Sequence, residues 1–335
     1  MKPLNIVDVA KAAGVSTTTV SRVINHVPTV TEENRRRVEA VIAKLHFRPN
    51  AAAQRLASGR NDTVGLIIPR FEGIFRSFYA MEVIKGVGSA AERLRLDLLL
   101  HITTTEHSFI QPAAVGGVLF ADIYEGSERL ERALDEGLPS VVLNHYVEDL
   151  PVSCVAIDNL GAAKQVVNYL AKLGHREIAT ITGDLRAQAG LARLDGYVVA
   201  MKERGLTIRE GYIQHGDYSA EAGRRGAEVL LKRHDRPTAI FAASDEMALA
   251  VIETARRLHL RIPEDLSIIG FDDNPTGANA PVPLTTVRQP LGEMGRTGVE
   301  ILLQLMQGKR KAPLKITLPT QLVERQSCRQ TWIEP

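Results

Sequence analysis

The chain has 335 residues, 44% hydrophobic and 24% charged, with a formal net charge of +2; this length calls for two or three domains, and the composition excludes disordered and fibrous classes. Cys154 and Cys328 are the only cysteines, too few and too far apart for a disulfide framework or a zinc site, so neither metal nor cofactor is expected. The leading MKPLNIVDVAKAAG has no apolar signal region, and no run approaches the roughly 18 apolar residues of a membrane span, so a cytoplasmic location is expected.

Charge is spread unevenly. Residues 1–60 hold ten Lys/Arg against four Asp/Glu, or +6, which leaves −4 for the remainder. A basic head on a weakly acidic body suits a polyanion partner, because phosphate neutralisation supplies most non-specific affinity for DNA. A solvated charged face is the alternative that charge alone leaves open.

In chain order, Asn5 and Asp8 have the spacing of an N-cap and its partner at N3, and they start a short helix carrying Val9, Ala10 and Ala13. Gly14 permits a tight turn, after which Ser16 can cap a second helix, Thr17 to Asn25. Val20, Val23 and Ile24 fall at i, i+3 and i+4 and form its buried face. Ser16, Thr17, Thr18, Ser21, Arg22 and Asn25 are left pointing outward. Thr31 caps a third helix with Glu32 and Glu33 in its first turn and an apolar stripe of Val38, Val41, Ile42 and Leu45. Two helices joined by a small-residue turn, the second polar on its outer side, match a helix-turn-helix that reads the major groove. Arg22 is the sharpest base-reading candidate, since a guanidinium makes two parallel hydrogen bonds to guanine. A plain three-helix bundle is the competing interpretation.

After Pro49, Asn50 can cap a helix AAAQRLAS that ends at Gly59 and is too short to be stable alone. Ala53 and Ala57 allow two such helices to approach closely, and Leu56 can wedge between base steps from the minor groove. An ordinary polar linker is the other possibility. The runs VDVAKAAGVSTTTVSRVIN and VTEENRRRVEAVIAKLHFRPNAAAQRLASGR resemble the LacI/GalR family of repressors, without a gap to about residue 60. The resemblance implies that Thr17, Thr18 and Arg22 are specificity positions. It places Ser16, Ser21, Asn25, Thr31 and Asn34 near the DNA backbone, and makes Ala53 and Leu56 part of a hinge helix formed in the dimer on DNA.

From Thr63 onward, TVGLIIP, LDLLLHI, VGGVLF, PSVVL, EIATIT, TAIFAA and LSIIG are short apolar runs of parallel-strand type alternating with helical stretches, which means an α/β class. Gly174 and Gly205 stand where two helices end. Two doubly wound units leave a cleft at the carboxyl ends of their strands. Between LDLLLHI and VGGVLF only TTTEHSFIQPAA remains, so the crossover helix there is expected to be missing or reduced to a turn.

The segments ITGDLRAQAGLARLDGY, FAASDEMALAVI, IPEDLSIIGFDDNP and PLTTVRQPLGEMGRTGVEIL extend the resemblance and bring in the periplasmic sugar-binding fold. By that resemblance Arg193, Tyr218, Ser244, Asp272 and Gln289 face a small-molecule effector, with Asp158 and Asn144 less closely matched. Asp272 can accept two ligand hydroxyls, Arg193 can donate a fork of bonds, and Tyr218 offers a flat face. Each has a bland alternative: Arg193 pairing with Asp195 or Glu203 on a helix surface, Asp272 with Asp273 as a loop cap, Tyr218 as packing. The loop PRFEGIFRSFYAMEV carries Arg70, Phe71, Phe75, Arg76, Phe78 and Tyr79, of which Phe75 and Tyr79 are taken as cleft residues.

The organisation expected is a helix-turn-helix domain at 1–48, a hinge at 49–60 and a bilobed effector-binding and dimerisation domain at 61–335. Its lobes comprise about 61–158 with 290–318, and about 159–289 with 319–335. The function implied is a ligand-responsive regulator that binds a near-palindromic DNA operator as a homodimer, its effector a sugar, sugar derivative or nucleoside. A sugar-binding protein without a gene-regulatory role is the alternative, and it lacks the export signal that a periplasmic receptor needs. An enzyme is not expected, since no GxGxxG, HExxH, GxSxG or P-loop pattern occurs. His107, His145 and His175 are taken as surface or loop residues, and Cys154 as a small buried strand residue.

Overall fold

The computed structural model describes residues 4–24, 27–47, 61–69, 74–103, 110–122 and 128–331. The chain divides into two compact units, Met1–Asp62 and Thr63–Pro335.

The first unit packs α1 (Ile6–Ala13), α2 (Thr17–Ile24) and α3 (Glu32–Leu45) around Val9, Ala10, Ala13, Val20, Val23, Val38 and Phe47. At the start of α1, Asn5 Oδ1 accepts from the amides of Val7 and Asp8, and Asp8 returns a bond to the Asn5 amide. Gly14, at φ 66°, closes α1 in the left-handed region that a side chain disfavours. Ser16 caps α2 through the Thr19 amide at 3.1 Å. The expected cap of α3 is not made: Thr31 occupies the N-cap position in extended backbone, but its side chain bonds no amide. The first turn relies instead on Glu32 and Glu33 near the positive dipole end. Arg35 ties the preceding turn by donating to the Val27 carbonyl at 3.1 Å.

In the second unit a six-stranded sheet, every pairing parallel, is built from β1 (Thr63–Pro69), β2 (Asp97–Thr103), β3 (Gly117–Ala121), β4 (Ser140–Leu143), β5 (Ser153–Ile157) and β11 (Lys315–Leu318). Its order is β11-β5-β4-β3-β1-β2. Alternate residues divide between two cores, which is why these strands read as continuous apolar runs. Leu66, Ile68, Leu119 and Leu143 meet helices Phe78–Leu94 and Leu291–Met306. Ile67, Phe120 and Val142 meet Leu130 and Ala133 of helix Glu128–Asp135. On that second face the described part of the β2–β3 connection holds a single 3-10 turn, Pro112–Ala114; residues 104–109 lie outside the described ones. Ile110 and Val115 cover the sheet where a helix would otherwise lie. Gly65 makes room for them, since a Cβ there would come within 2.9 Å of Ile110 Cδ1.

A second parallel sheet has the order β7-β6-β8-β9, with β6 (Ile178–Ile181), β7 (Ile213–Gln214), β8 (Ala239–Ala242) and β9 (Ser267–Ile269). Helices Asn159–Lys172 and Gln188–Glu203 pack with Ile178 and Phe241 on one face, and helices Ala220–Leu231 and Asp245–Arg257 with Ile181 and Ile240 on the other. An antiparallel ribbon pairs β10 (Thr286–Arg288) with β12 (Gln321–Val323). The chain therefore passes between the sheets after β5, after β10 and after β11.

His175 lies in the loop between helix Asn159–Lys172 and β6, as expected of a surface or loop residue, but in its buried part. It is 2% exposed, its Nδ1 lies 3.0 Å from Thr238 Oγ1 and its Nε2 3.2 Å from the Arg329 carbonyl, so it pins the C-terminal segment to the second sheet. Burial lowers its pKa from 6.5 to about 4. A folded-state pKa below the unfolded value means that the folded protein resists a proton the unfolded chain takes up. The contribution of His175 is complete above pH 6.5 and is lost as the pH falls toward 4. Urea titrations at pH 7.5 and 4.5 should show His175→Gln losing less stability on acidification than the wild type, by roughly 2–3 kcal/mol. Identical pH slopes would contradict the buried neutral imidazole.

Candidate functional site

The outer surface of the first unit follows from the phase of α2. Val20 and Val23 are 0% and 2% exposed, whereas Ser16, Thr17, Thr18 and Arg22 are exposed and Ser21 is half-buried. Every turn that sends a valine inward sends a hydroxyl or the guanidinium outward. Thr31 is exposed at the start of α3 and Asn34 half-buried within it. Arg36 and Arg37 reach Glu32 and Glu33 at 3.3 and 2.7 Å. Such exposed pairs are worth only about 0.2–1 kcal/mol, so they exchange readily for phosphates. Asn25, Ala53 and Leu56 lie outside the described residues, as do Arg70 and Phe71.

In the second unit, Asp122 follows β3, Asn144 follows β4, Asp158 follows β5, Ser244 lies two residues past β8 and Asp272 three past β9. All stand at the carboxyl ends of parallel strands, where open α/β sheets bind ligands. Asp122, Asn144, Tyr218, Asp272 and Asp273 have φ of 55°, 59°, 70°, 124° and 62°. Non-glycine residues in this region carry backbone strain of the kind that clusters at binding sites.

Arg193 is 4% exposed; its Nε donates to Asn159 Oδ1 at 2.8 Å and its Nη1 to the Ala243 carbonyl at 2.7 Å. The guanidinium carbon lies 3.6 Å from the centre of the Phe271 ring and 5.8 Å from that of Tyr218. It pairs with neither Asp195 nor Glu203, because Lys164 takes Glu203 at 2.8 Å and Arg193 faces inward. Tyr218 fits because Gly183 has no side chain: a Cβ there would lie 2.1 Å from the phenol carbon. Ser244 serves to position its neighbours, donating to the Tyr218 carbonyl at 3.1 Å and accepting from the Met247 amide at 3.3 Å.

The two lobes contribute matching pairs. Asn144 Nδ2 donates to Asp122 Oδ1 at 2.8 Å, and Gln289 Nε2 donates to Asp272 Oδ1 at 2.6 Å. Burial raises the Asp122 carboxyl to about 6 against the opposing pull of Asn144 and Arg193. Burial likewise raises Asp272, opposed first by Arg193. The Tyr79 phenol is raised well above its usual range by burial and then by Asp122, so it stays protonated. Behind Asp272, Asp245 is 0% exposed, accepts from Thr286 Oγ1 at 2.5 Å and the Asn274 amide at 2.6 Å, and is pushed far up by burial.

Two sequence candidates have other occupations. The Asp158 carboxylate caps helix Asn159–Lys172 through the Gly161 amide at 2.7 Å, and Phe75 is 67% exposed. Asp122, Asn159 and Phe271 were missed by the sequence reading. The one signal for Asp122 is an acid set directly after the apolar run VLFA. At the rim, Tyr146 and Gln188 exchange two bonds between the lobes: the Tyr146 amide donates to Gln188 Oε1 at 2.7 Å, and Gln188 Nε2 donates to the Tyr146 carbonyl at 2.9 Å. Among the described residues no group of three or more His, Cys, Asp or Glu is placed to hold a metal, and no helix is long and apolar enough to cross a membrane.

Residues 5–50 match the family model described as bacterial regulatory proteins, lacI family, and residues 167–328 that of a periplasmic binding protein-like domain. The chain is 37% identical over 332 residues to the HTH-type transcriptional regulator DegA of Bacillus subtilis (strain 168), covering 96% of this chain and 97% of that one. It is similar to the solved lac repressor dimer bound to operator and the anti-inducer ONPF, with a TM-score of 0.85, 26% identity, and 98% and 100% of the two chains covered. A transcriptional regulator CelR–cellobiose complex gives a TM-score of 0.74 at 31% identity, over 97% and 99%.

Replacing Arg193 by Met should strand Asn159 and the Ala243 carbonyl in the interior and remove the cation that favours ionised Asp122 and Asp272. A loss of roughly 2–4 kcal/mol in urea denaturation is expected. An unchanged midpoint would mean that the guanidinium is not structurally engaged.

Proposed function

The chain belongs to the lacI family of bacterial regulatory proteins, and from that membership we propose how its two units divide the work of a ligand-responsive regulator. It is a sequence-specific DNA-binding transcriptional regulator, not an enzyme. The observation that carries the DNA-binding half is the exposed hydroxyl-and-guanidinium side of α2 opposite a fully buried valine side. In this proposal Arg22 reads a guanine edge, Thr17 and Thr18 make neighbouring base contacts, and Ser16, Ser21, Thr31 and Asn34 hold phosphates. The protein acts in the cytoplasm as a homodimer on a near-palindromic operator, as a repressor of carbohydrate or related catabolic genes.

The effector sits in the cleft, held by Arg193, Tyr218, Asp272, Gln289, Asn144 and Tyr79, and is a sugar, sugar derivative or nucleoside. A solved relative in complex with cellobiose supports a carbohydrate. Binding that favours one arrangement of the lobes changes operator affinity, and operator binding changes effector affinity by the same factor.

Two measurements check the halves separately. With an operator selected from random duplexes, Arg22→Ala should lose about 10- to 100-fold in affinity and relax the preference for one base pair at fixed salt. Unchanged affinity and preference would remove α2 from the reading. Asp272→Ala should abolish effector-dependent thermal stabilisation while remaining folded, and a retained shift would place the effector elsewhere.

A further inference from the structure

We infer that Asp122 makes the cleft selective for an effector rich in hydrogen-bond donors and free of negative charge, a polyhydroxylated ring in neutral or amino form, and that acids and phosphate esters of such rings are rejected. The inference rests on the cleft being the effector site.

It follows from an inventory of donors and acceptors. Asp122 and Asp272 face the cleft from opposite lobes, and each has one oxygen engaged, by Asn144 and by Gln289. An ionised carboxylate only accepts, so each neighbouring amide must turn its NH2 toward the acid and its oxygen away. Among the described residues Asn144 Oδ1 and Gln289 Oε1 are accordingly buried without a hydrogen-bond partner, as is the Tyr218 hydroxyl, while the Tyr79 phenol lies beside Asp122 and Asn144. Buried polar atoms without partners cost free energy unless a ligand meets them. On the donor side, Arg193 has already committed Nε and Nη1 to Asn159 and Ala243. What remains among the described residues is dominated by acceptor sites: two amide oxygens and the second oxygens of two carboxylates, against the Tyr218 phenol, the Tyr79 phenol already turned to Asp122, and the rest of one guanidinium. A sugar hydroxyl or an ammonium supplies the missing donors. A phosphate or carboxylate brings further acceptors and a like charge.

The charges nearby point the same way. Among the described residues Asp122 and Asp272 share one nearby cation, Arg193; Glu246 adds negative field at Asp272, and Asp184 is already neutralised by Arg186 at 2.6 Å. Burial pushes the Asp245 carboxyl up and keeps the phenols of Tyr79 and Tyr218 protonated. Below about pH 6 the Asp122 carboxylate takes a proton and ceases to be a pure acceptor, so donor-rich effectors weaken on acidification while anions strengthen.

Thermal shift and calorimetric titration of the full chain would use aldohexoses, pentoses and β-linked disaccharides with their 2-amino, uronic acid and 6-phosphate forms, at pH 7.5 and 5.5. Every compound that binds should be neutral or amino, with affinity at least about fourfold lower at pH 5.5, since Asp122 and Asp272 both ionise near pH 6. Asp122→Asn should cost at least tenfold and shrink the pH step by about fourfold, leaving the part due to Asp272. An acid or phosphate ester that binds as tightly, an Asp122→Asn variant with wild-type affinity and pH response, or silence across the panel each overturns the inference. The cleft reading fails separately. A compound bound equally by wild type, Asp122→Asn and Asp272→Asn sits elsewhere, whereas an anion lost in Asp272→Asn sinks only the charge rule.

Discussion

Arg193 is a buried cation fixed by Asn159, the Ala243 carbonyl and the face of Phe271, and the electrostatics of the strand-end cluster are arranged around it. Its partners come from three separate stretches of chain: the start of the first helix of the second lobe, the end of β8 and the segment after β9. Holding the guanidinium in place therefore holds those strand ends in register with one another. Its charge also opposes the desolvation of Asp122 and Asp272, so acids drawn from both lobes remain close enough to ionisation to recognise a ligand. Removing water from a lone carboxylate would simply protonate it; at Asp122 the Asn144 and Tyr79 hydrogen bonds and then Arg193 oppose that, and at Asp272 Arg193 leads.

The periodic parts of the molecule were legible in the sequence. Apolar runs such as TVGLIIP and TAIFAA became parallel strands because both sheet faces are covered, and the valines of α2 became a core because their spacing matches a helix. The shortened β2–β3 connection was also legible from its length alone, within the residues described. What was not legible depends on contacts between distant segments. Asp122 looks like any polar residue after a strand until Asn144 and Arg193 are brought to it, and Asn159 looks like part of a cap until Arg193 reaches it from the next helix. His175 is the loop residue it was read as, but nothing local reveals that Thr238 and Arg329 close over it. Thr31 shows the reverse error, a correct position with the wrong bond, since the acids beside it serve the same helix end. Strands of two or three residues, β7, β9, β10 and β12, carry too few side chains for a period to show, and only the apolar LSIIG gave β9 away.

The left-handed residues at the strand ends belong with this picture. Asp122, Asn144, Tyr218 and Asp272 adopt backbone conformations that glycine would hold with less strain, yet each carries a side chain that joins the polar cluster around Arg193. The surrounding sheets absorb that strain because their strands are buried on both faces and cannot relax individually. Rigid strands thus deliver polar groups at fixed positions, while the recognition chemistry is confined to a few residues just beyond them.

The reciprocal pair between Gln188 and the main chain of Tyr146 has a bearing on how such a protein is tuned over evolutionary time. On one side it uses only peptide groups, so the pair itself does not depend on the residue type at position 146, whose ring faces Lys315 instead, and neither partner titrates or responds to ionic strength. A change at position 188 alone would remove this tie between the lobes while leaving the contacts of Arg193, Asp122 and Asp272 untouched. The strength of the link is therefore separable from the chemistry of the strand-end cluster.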